Sequence, residues 1–171
     1  MDLRRLTPAD APAYRALALS GYAESPEAFT STVREREPLP LAWWTERVSD
    51  APEAASLVIG TWDADRLVGV AGLRFSTRER KRHIATLYGM FVAPEARGRG
   101  LGRRLVEAAL EHLRQKPGVE VVQLTVREPN AGARRLYAVC GFEAFGVEPL
   151  AIRLGDGQFV ATVHMWRRVE S

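Results

Sequence analysis

The 171-residue chain contains one cysteine, Cys140, only two lysines among its 24 basic residues, and no long apolar run. A single cysteine excludes an internal disulfide framework and a thiolate-rich metal site. No apolar stretch approaches the roughly 20 residues that cross a bilayer, and no short apolar stretch follows a basic start, as it would in a signal peptide. We therefore expect a cytoplasmic protein with no membrane partner and no metal.

Length and composition are those of an ordinary globular chain. Domains usually have about 100–200 residues, so we expect one domain over residues 1–171. Hydrophobic residues make up 46% of the chain, which is too many for disorder. The net charge of +3 is small for a nucleic-acid binder, which needs a concentrated basic stripe. Nucleic acid is not the expected partner, although the basic cluster at Arg78–Arg82 keeps that alternative open.

Apolar periodicity and turn residues predict an alternating order of strands and helices. Strands are predicted at residues 2–6, 56–62, 67–75, 84–92, 119–126, 142–147 and 158–166. Helices are predicted at residues 11–19, 41–48, 100–115 and 131–139. The order predicts an α+β fold, in which about four helices cover a mixed, mainly antiparallel sheet of about seven strands.

A glycine-rich turn, Arg97-Gly98-Arg99-Gly100-Leu101-Gly102, lies between a predicted strand and a helix. Glycine lets a backbone approach a ligand closely, and the first amides of a helix have no intrahelical partner and attract anions. Arg97, Arg99 and Arg103 add positive charge. The turn lacks the Gly-Lys-Ser/Thr of a P-loop and the third glycine of a dinucleotide fingerprint. It predicts a phosphate or pyrophosphate site, with a plain tight turn as the alternative.

A second segment of interest begins at Asn130, which is a typical N-cap residue for the helix that follows. Tyr137 lies seven residues on, which is two turns along the same face. It either packs as a core aromatic or donates its phenolic proton to a leaving group. Cys140 precedes Gly141, the predicted left-handed helix stop, so we expect it in the core rather than as a nucleophile.

Together the two segments resemble the GNAT superfamily of N-acetyltransferases. The first motif of that family is a strand, then Arg/Gln-x-x-Gly-x-Gly/Ala, then a helix, and residues 90–102 match it. The second motif is Asn, a helix with Leu-Tyr, then Gly-Phe, and residues 130–142 match it. The resemblance covers nearly the whole chain, and residues 25–29, 88–90 and 145–151 are similar to a bacterial branch whose members mostly lack an assigned substrate.

The resemblance implies acetyl-CoA as the cofactor. Its pyrophosphate would lie on the amides of Arg97, Gly98, Arg99, Gly100, Leu101, Gly102 and Arg103. The strand before the turn would splay from the strand at 119–126, and pantetheine would lie in the gap against the backbone of Phe91 and Val92 and against Asn130. Arg134 or Arg135 would approach the 3′-phosphate.

The resemblance also implies direct attack of a primary amine, on a small molecule or a peptide, on the thioester within a ternary complex. Tyr137 would be the general acid. Many relatives have a glutamate on the strand before the turn, at the position of Thr86 here, and no carboxylate lies between His83 and Val92. The base therefore stays unassigned. The alternatives are His83, Tyr88, Glu24, Glu148 and a chain of water molecules.

The acceptor cleft of this fold is usually formed by the first helices and the last hairpin. This implies substrate contacts from Phe29, Tyr88 and Glu148, with Trp43 and Trp44 nearby. Consecutive helical positions do not share a face, so at least one tryptophan should lie in the core. Because the strand glutamate is missing, the alternative hypothesis is a catalytically silent acyl-CoA-binding regulatory module. Dimerisation is common in the family, which makes a homodimer a candidate assembly.

Overall fold

A computed structural model, which describes residues 1–170, contains seven strands and five α-helices. The strands are β1 (Asp2–Arg5), β2 (Ser56–Asp63), β3 (Arg66–Phe75), β4 (Ile84–Val92), β5 (Val121–Arg127), β6 (Glu143–Arg153) and β7 (Phe159–Arg168). The helices are α1 (Ala11–Glu24), α2 (Val33–Arg36), α3 (Leu41–Arg47), α4 (Leu101–Arg114) and α5 (Ala131–Val139). The α+β prediction is confirmed. The helix beyond the four predicted is α2, whose four residues are too few to show a helical apolar period.

All seven strands belong to one sheet, in the order β1-β2-β3-β4-β5-β7-β6. Only β4 and β5 are parallel, and every other neighbouring pair is antiparallel. This is the mixed, mainly antiparallel sheet that the sequence predicts. None of the helices among residues 1–170 is both long and apolar enough to span a bilayer.

The two parallel strands separate soon after they begin. They pair only where Ile84–Thr86 of β4 lie beside Val121–Gln123 of β5. Farther along, Tyr88 lies opposite Gly72 and Phe91 lies opposite Val70, so β4 contains one residue more than β3 across this interval. The extra residue forms a β-bulge around Gly89, whose φ is +60°, and a bulge bends the strand that carries it. The predicted splay between β4 and β5 is present.

The sheet is buried on both faces at its centre. On one face, Leu105, Ala109 and Leu113 of α4 pack with residues that include Leu57 and Leu73 of the central strands. On the other face, the buried side chains of α1 and α3 pack with the alternate residues of the same strands, namely Tyr14, Leu17, Trp44, Val58, Val68 and Val70. Each such large apolar side chain contributes about 1.5–3 kcal/mol by leaving water.

Two predicted boundaries differ from the structure by more than two residues. Helix α1 continues to Glu24 rather than ending at residue 19, because Gly21 lets it lie directly against Phe91; a Cβ at Gly21 would meet the Phe91 ring at 3.0 Å. Strand β6 continues to Arg153 rather than ending at residue 147. It passes Pro149 through an irregularity in its pairing, with Leu150 at a φ of +55°.

Candidate active site

Two cavities open where β4 separates from β5. The loop groove, about 570 Å³, is bordered by the glycine-rich turn, the end of β4 and the start of α5. The arginine pocket, about 390 Å³, is bordered by helices α1, α2 and α3, by the segment between α1 and α2, and by strands β3 and β4. Ala28, Phe29 and Phe91 line both cavities, which therefore meet at these three residues.

The glycine-rich turn presents bare backbone to the loop groove. Gly98 and Gly100 have φ values of +76° and +72°, a left-handed conformation that favours glycine, and the space beside each is open. Within residues 1–170, none of the backbone N–H groups of residues 98–103 donates a hydrogen bond to another backbone or side-chain group. These free donors stand at the N-terminal end of the 14-residue helix α4, where the helix dipole also favours an anion.

The arginines of the turn differ in their contacts. Arg97 donates from Nε to the carbonyl oxygen of Val92 at 3.0 Å and lines the groove. Arg103 also lines it, and donates from Nε to Glu107 at 2.7 Å, a bond that raises the pKa of Arg103. Arg99 lies 3.6 Å from Asp63 instead and is outside the lining.

Most of the predicted cofactor contacts come together around the groove. They are Phe91, Val92, Arg97, Gly98, Gly100, Leu101, Gly102, Arg103 and Asn130. Arg134 is not brought to the lining; it donates to the carbonyl oxygen of Glu128 at 3.2 Å. The predicted N-cap is confirmed, because the Asn130 Oδ1 atom accepts a bond from the Ala133 N–H at 3.1 Å.

Tyr137 lies beneath the groove rather than in its lining. Its side chain is 9% exposed, and its hydroxyl donates to the Met90 sulfur at 3.8 Å. Met90 itself lines the groove. Burial raises the pKa of Tyr137 to about 12, so the phenol keeps its proton through the physiological range. Cys140 is buried, as predicted, and burial raises its pKa as well.

Three arginines that the sequence analysis did not select line the arginine pocket. Arg36 and Arg47 lie over the Trp43 ring, at 4.8 and 3.7 Å from its centroid. Arg74 lies over the Tyr88 ring at 4.6 Å. No Asp or Glu lines this cavity. The three arginines stand in separate elements and belong to no motif, so the sequence held no signal that could have grouped them.

The predicted substrate contacts divide between this pocket and other places. Phe29 and Tyr88 line it. Glu148 does not; it lies on β6, 3.2 Å from the ring nitrogen of His164 on β7. Glu24 accepts a bond from Ser20 on its own helix and is also outside the pocket.

Of the other residues that the sequence analysis names as bases or as neighbours of the cleft, some line the arginine pocket and others lie outside it. Thr86 lines the arginine pocket, whereas His83 is exposed and outside it. Of the two tryptophans, Trp44 is fully buried in the core and Trp43 forms part of the pocket wall. The prediction that at least one of the pair lies in the core is confirmed.

A buried arginine fixes the chain segment that separates the two cavities. Arg127, at the end of β5, is 6% exposed and donates to the carbonyl oxygens of Pro26 and Glu27. Those residues immediately precede Ala28 and Phe29, which line both cavities. The sequence analysis did not select Arg127, because its partners lie about 100 positions away.

Proteins similar to this chain are found both by sequence and by structure. The family model described as "Acetyltransferase (GNAT) family" matches residues 19–142. The chain is 32% identical over 148 residues to a mycothiol acetyltransferase of Salinispora tropica. The aligned region covers 83% of the chain and 44% of that protein. The chain thus spans less than half the length of this relative.

Two further matches extend over most of both proteins. An L-amino acid N-acetyltransferase of Escherichia coli is 30% identical over 143 residues, which is 83% of the chain and 85% of that protein. A solved structure from Salmonella typhimurium, described with its cofactor acetyl-CoA, has a TM-score of 0.81 at 20% identity and covers 100% of this chain and 95% of its own. At that identity, the structural match shows a shared fold.

Proposed function

The chain belongs to the GNAT acetyltransferase family, and from that premise we propose that it transfers an acetyl group from acetyl-CoA to a primary amine of a small molecule or a peptide. The relatives described above are named for different molecules, mycothiol and L-amino acids, so their names leave the acceptor open. The observation that carries the proposal is the row of unpaired N–H groups at residues 98–103, which faces an open groove.

The loop groove fits acetyl-CoA by the chemistry of its donors. The free amides of residues 98–103 would hold the pyrophosphate, and Arg97 and Arg103 would add charge beside it. The Phe91 and Val92 backbone and the Asn130 side chain would contact the pantetheine arm. Arg99 and Arg134 are proposed as outer contacts, each of which would leave its present partner, Asp63 or the Glu128 carbonyl.

When bound, acetyl-CoA supplies an activated acetyl group whose transfer forms a C–N bond, breaks the C–S bond and releases coenzyme A. The chain contributes position and protons. Phe29 and Phe91, at the meeting point of the cavities, would exclude water and keep the amine at near-attack distance. Tyr137 would turn its hydroxyl from the Met90 sulfur into the groove, give its phenolic proton to the departing sulfur and regain one from solvent. The proton lost by the amine would pass to water, since no carboxylate of residues 1–170 lines the pocket.

Calorimetric titration with acetyl-CoA tests the proposal. The wild-type protein should bind it, and saturation at about 100-fold over the dissociation constant should stabilise the fold by about 2.7 kcal/mol. Gly100→Glu places a carboxylate beside the phosphate site and should weaken binding at least about 100-fold. Gly100→Asn is the matched control, because asparagine tolerates a left-handed φ and carries no charge. Absence of binding by the wild type would overturn the proposal.

A catalytically silent acyl-CoA-binding regulatory module is the second candidate. The observation in its favour is that no carboxylate of residues 1–170 lines the pocket, whereas the family resemblance implies a glutamate at the position of Thr86. It predicts acetyl-CoA binding without release of thiol in the presence of any amine. A homodimer stays a prediction of the family resemblance, and sedimentation of the purified protein tests it.

A further inference from the structure

We propose that the arginine pocket selects acceptor amines that carry an oxyanion, either a carboxylate or a phosphate, on the same small molecule. The inference rests on the proposed acetyl transfer, since it names the acceptor class for that same site. Three features of the pocket among residues 1–170 carry it: a positive charge without an ion-pair partner, guanidinium groups that lie close to aromatic rings and keep N–H groups available, and buried polar atoms without partners.

The positive charge of the pocket has no ion-pair partner among the described residues. Within residues 1–170, Arg36, Arg47 and Arg74 form no ion pair with any carboxylate. Glu35, the neighbour of Arg36 in the sequence, bonds instead to the N–H and hydroxyl of Thr32 as part of a helix cap. Three cations that line one concave surface raise the local concentration of anions, so the ligand is expected to supply the missing negative charge.

The guanidinium groups are arranged to bind an oxyanion. Arg36 and Arg47 lie over Trp43, while Arg47 and Arg74 lie over Tyr88, at distances of 3.7–5.9 Å from the ring centroids. Within residues 1–170, Arg47 and Arg74 donate no side-chain hydrogen bond and Arg36 donates one, to Ser31, so N–H groups of all three guanidinium groups stay available. The edge of a guanidinium matches the two oxygens of a carboxylate or a phosphate in a bidentate pair.

Two buried polar atoms of these residues also lack a partner among residues 1–170. They are the Tyr88 hydroxyl and the Arg36 Nε, although another nitrogen of Arg36 donates to the Ser31 hydroxyl at 2.9 Å. Buried polar groups in proteins are almost always hydrogen-bonded. A small shift of these two side chains towards the pocket would let an oxyanion accept from both groups, whereas an alkyl group would leave them unsatisfied.

The dimensions of the pocket suit a small acceptor. A volume of about 390 Å³ lies within the usual range for small-molecule sites. The acceptor nitrogen must reach Phe29 and Phe91, where the pocket joins the loop groove, while the oxyanion lies among the arginines. Nearby cations disfavour an ammonium ion, so the same arginines would favour the neutral, nucleophilic amine in a pocket that has no carboxylate base.

Matched amine pairs test this selection. L-Leucine and L-leucinamide differ by a carboxylate, and phosphoethanolamine and ethanolamine differ by a phosphate. Thiol release gives kcat/KM for each amine, and calorimetry in the presence of coenzyme A gives its affinity without any need for turnover. We expect the anionic member of at least one pair to be preferred at least about tenfold by both measures, and the pair that shows the preference identifies the oxyanion.

Charge-removing variants tie that preference to the pocket. Arg36→Gln, Arg47→Gln and Arg74→Gln should each lower kcat/KM for the preferred anionic amine about tenfold and change it for the neutral amine less than about twofold. Arg47→Lys, which keeps the charge but not the planar fork, should show an intermediate loss. Arg80→Gln is the control for net charge, because Arg80 is exposed and lies outside the pocket. An unchanged affinity for acetyl-CoA certifies that each variant is folded.

Either of two results would overturn the inference: neutral amines bound and acetylated as well as both anionic amines, or a preference that survives all three pocket substitutions. Each leaves the proposed function intact if acetyl-CoA binds and some amine is acetylated. Conversely, arginine-dependent affinity for an anionic amine in a protein that does not bind acetyl-CoA would keep the anion site and reject acetyl transfer.

Discussion

The loop groove and the arginine pocket meet at Phe29 and Phe91 but are built in opposite ways. The groove presents main-chain N–H groups from consecutive residues, positioned by left-handed glycines. The pocket presents side chains from α1, α2, α3, β3 and β4. A main-chain site of this kind is sensitive to loss of glycine and tolerant of side-chain exchange, whereas the pocket can change its ligand through single substitutions. One scaffold can thus keep a cofactor and vary an acceptor.

The adjacent tryptophans provide the largest expected effect. Trp44 is fully buried and packs edge-on against Tyr14 at a centroid distance of 5.6 Å. Trp44→Ala should therefore lower the free energy of unfolding by about 3–5 kcal/mol, measured by urea denaturation.

Trp43→Ala is the matched variant from the pocket wall. Because Trp43 is partly exposed and supports Arg36 and Arg47, its removal should raise KM for the acceptor severalfold and cost less than about 2 kcal/mol of stability. The affinity for acetyl-CoA should stay within about twofold. A parallel loss of acetyl-CoA affinity would show that the two cavities are not independent.

Tyr137→Phe should have the next largest effect, on kcat, and it tests whether the groove takes part in the chemical step or only binds the cofactor. Loss of a general acid usually costs about 10²–10⁴ in rate, so kcat should fall at least about 100-fold while acetyl-CoA affinity is unchanged. An unchanged kcat would mean that the departing sulfur takes its proton elsewhere. If the wild type released no thiol with any amine, the hypothesis of a catalytically silent acyl-CoA-binding module would be favoured instead.

The pH dependence of the wild-type enzyme provides a second measurement of Tyr137. Burial holds the pKa of this phenol at about 12, so its acid form is fully present below that value and is lost only as the pH rises through it. The pH profile of kcat should therefore show no alkaline decline from Tyr137 between pH 7 and 10. A decline with an apparent pKa near 9, absent from Tyr137→Phe, would contradict the burial of the hydroxyl against Met90.

The same contrast explains what could be predicted from the sequence. Strand β4 and helix α5 have the bounds predicted, and the groove follows from local spacing, because a glycine-rich turn before a helix determines its own amide geometry. Arg36, Arg47 and Arg74 could not be found in this way, since their proximity depends on how α2, α3 and β3 pack. Glu148 was selected from the usual cleft of the fold, but its pairing with His164 on the last hairpin keeps it outside the pocket.

Arg127→Met tests the one element that serves both cavities. The substitution removes the donor to the Pro26 and Glu27 carbonyls and should loosen the segment that carries Phe29. Affinities for acetyl-CoA and for the acceptor should therefore fall together, each about three- to tenfold. Arg167→Met is the control: Arg167 also donates to a buried carbonyl, that of Cys140, but lines neither cavity. Loss of only one affinity would assign the segment to that cavity alone.

Asp10 provides an effect on stability alone, which should spare both cavities. Its carboxylate accepts hydrogen bonds from Arg4, at 2.8 Å, and from the N–H and the hydroxyl of Thr7. These contacts, of which the Arg4 bond has the largest effect, lower the pKa of Asp10 from 3.8 to about 2. Since the pKa is lower in the folded protein, this carboxylate stabilises the fold above about pH 4, and its contribution disappears as the pH falls through about 2. Asp10→Asn should lower the free energy of unfolding by about 1–2 kcal/mol at pH 7 and by nearly nothing at pH 2, measured by denaturation at the two pH values.

The affinity of this variant for acetyl-CoA at pH 7 should be unchanged, because Asp10 lines neither cavity. A changed affinity would mean that the start of α1 is coupled to the site through the helix that borders the arginine pocket.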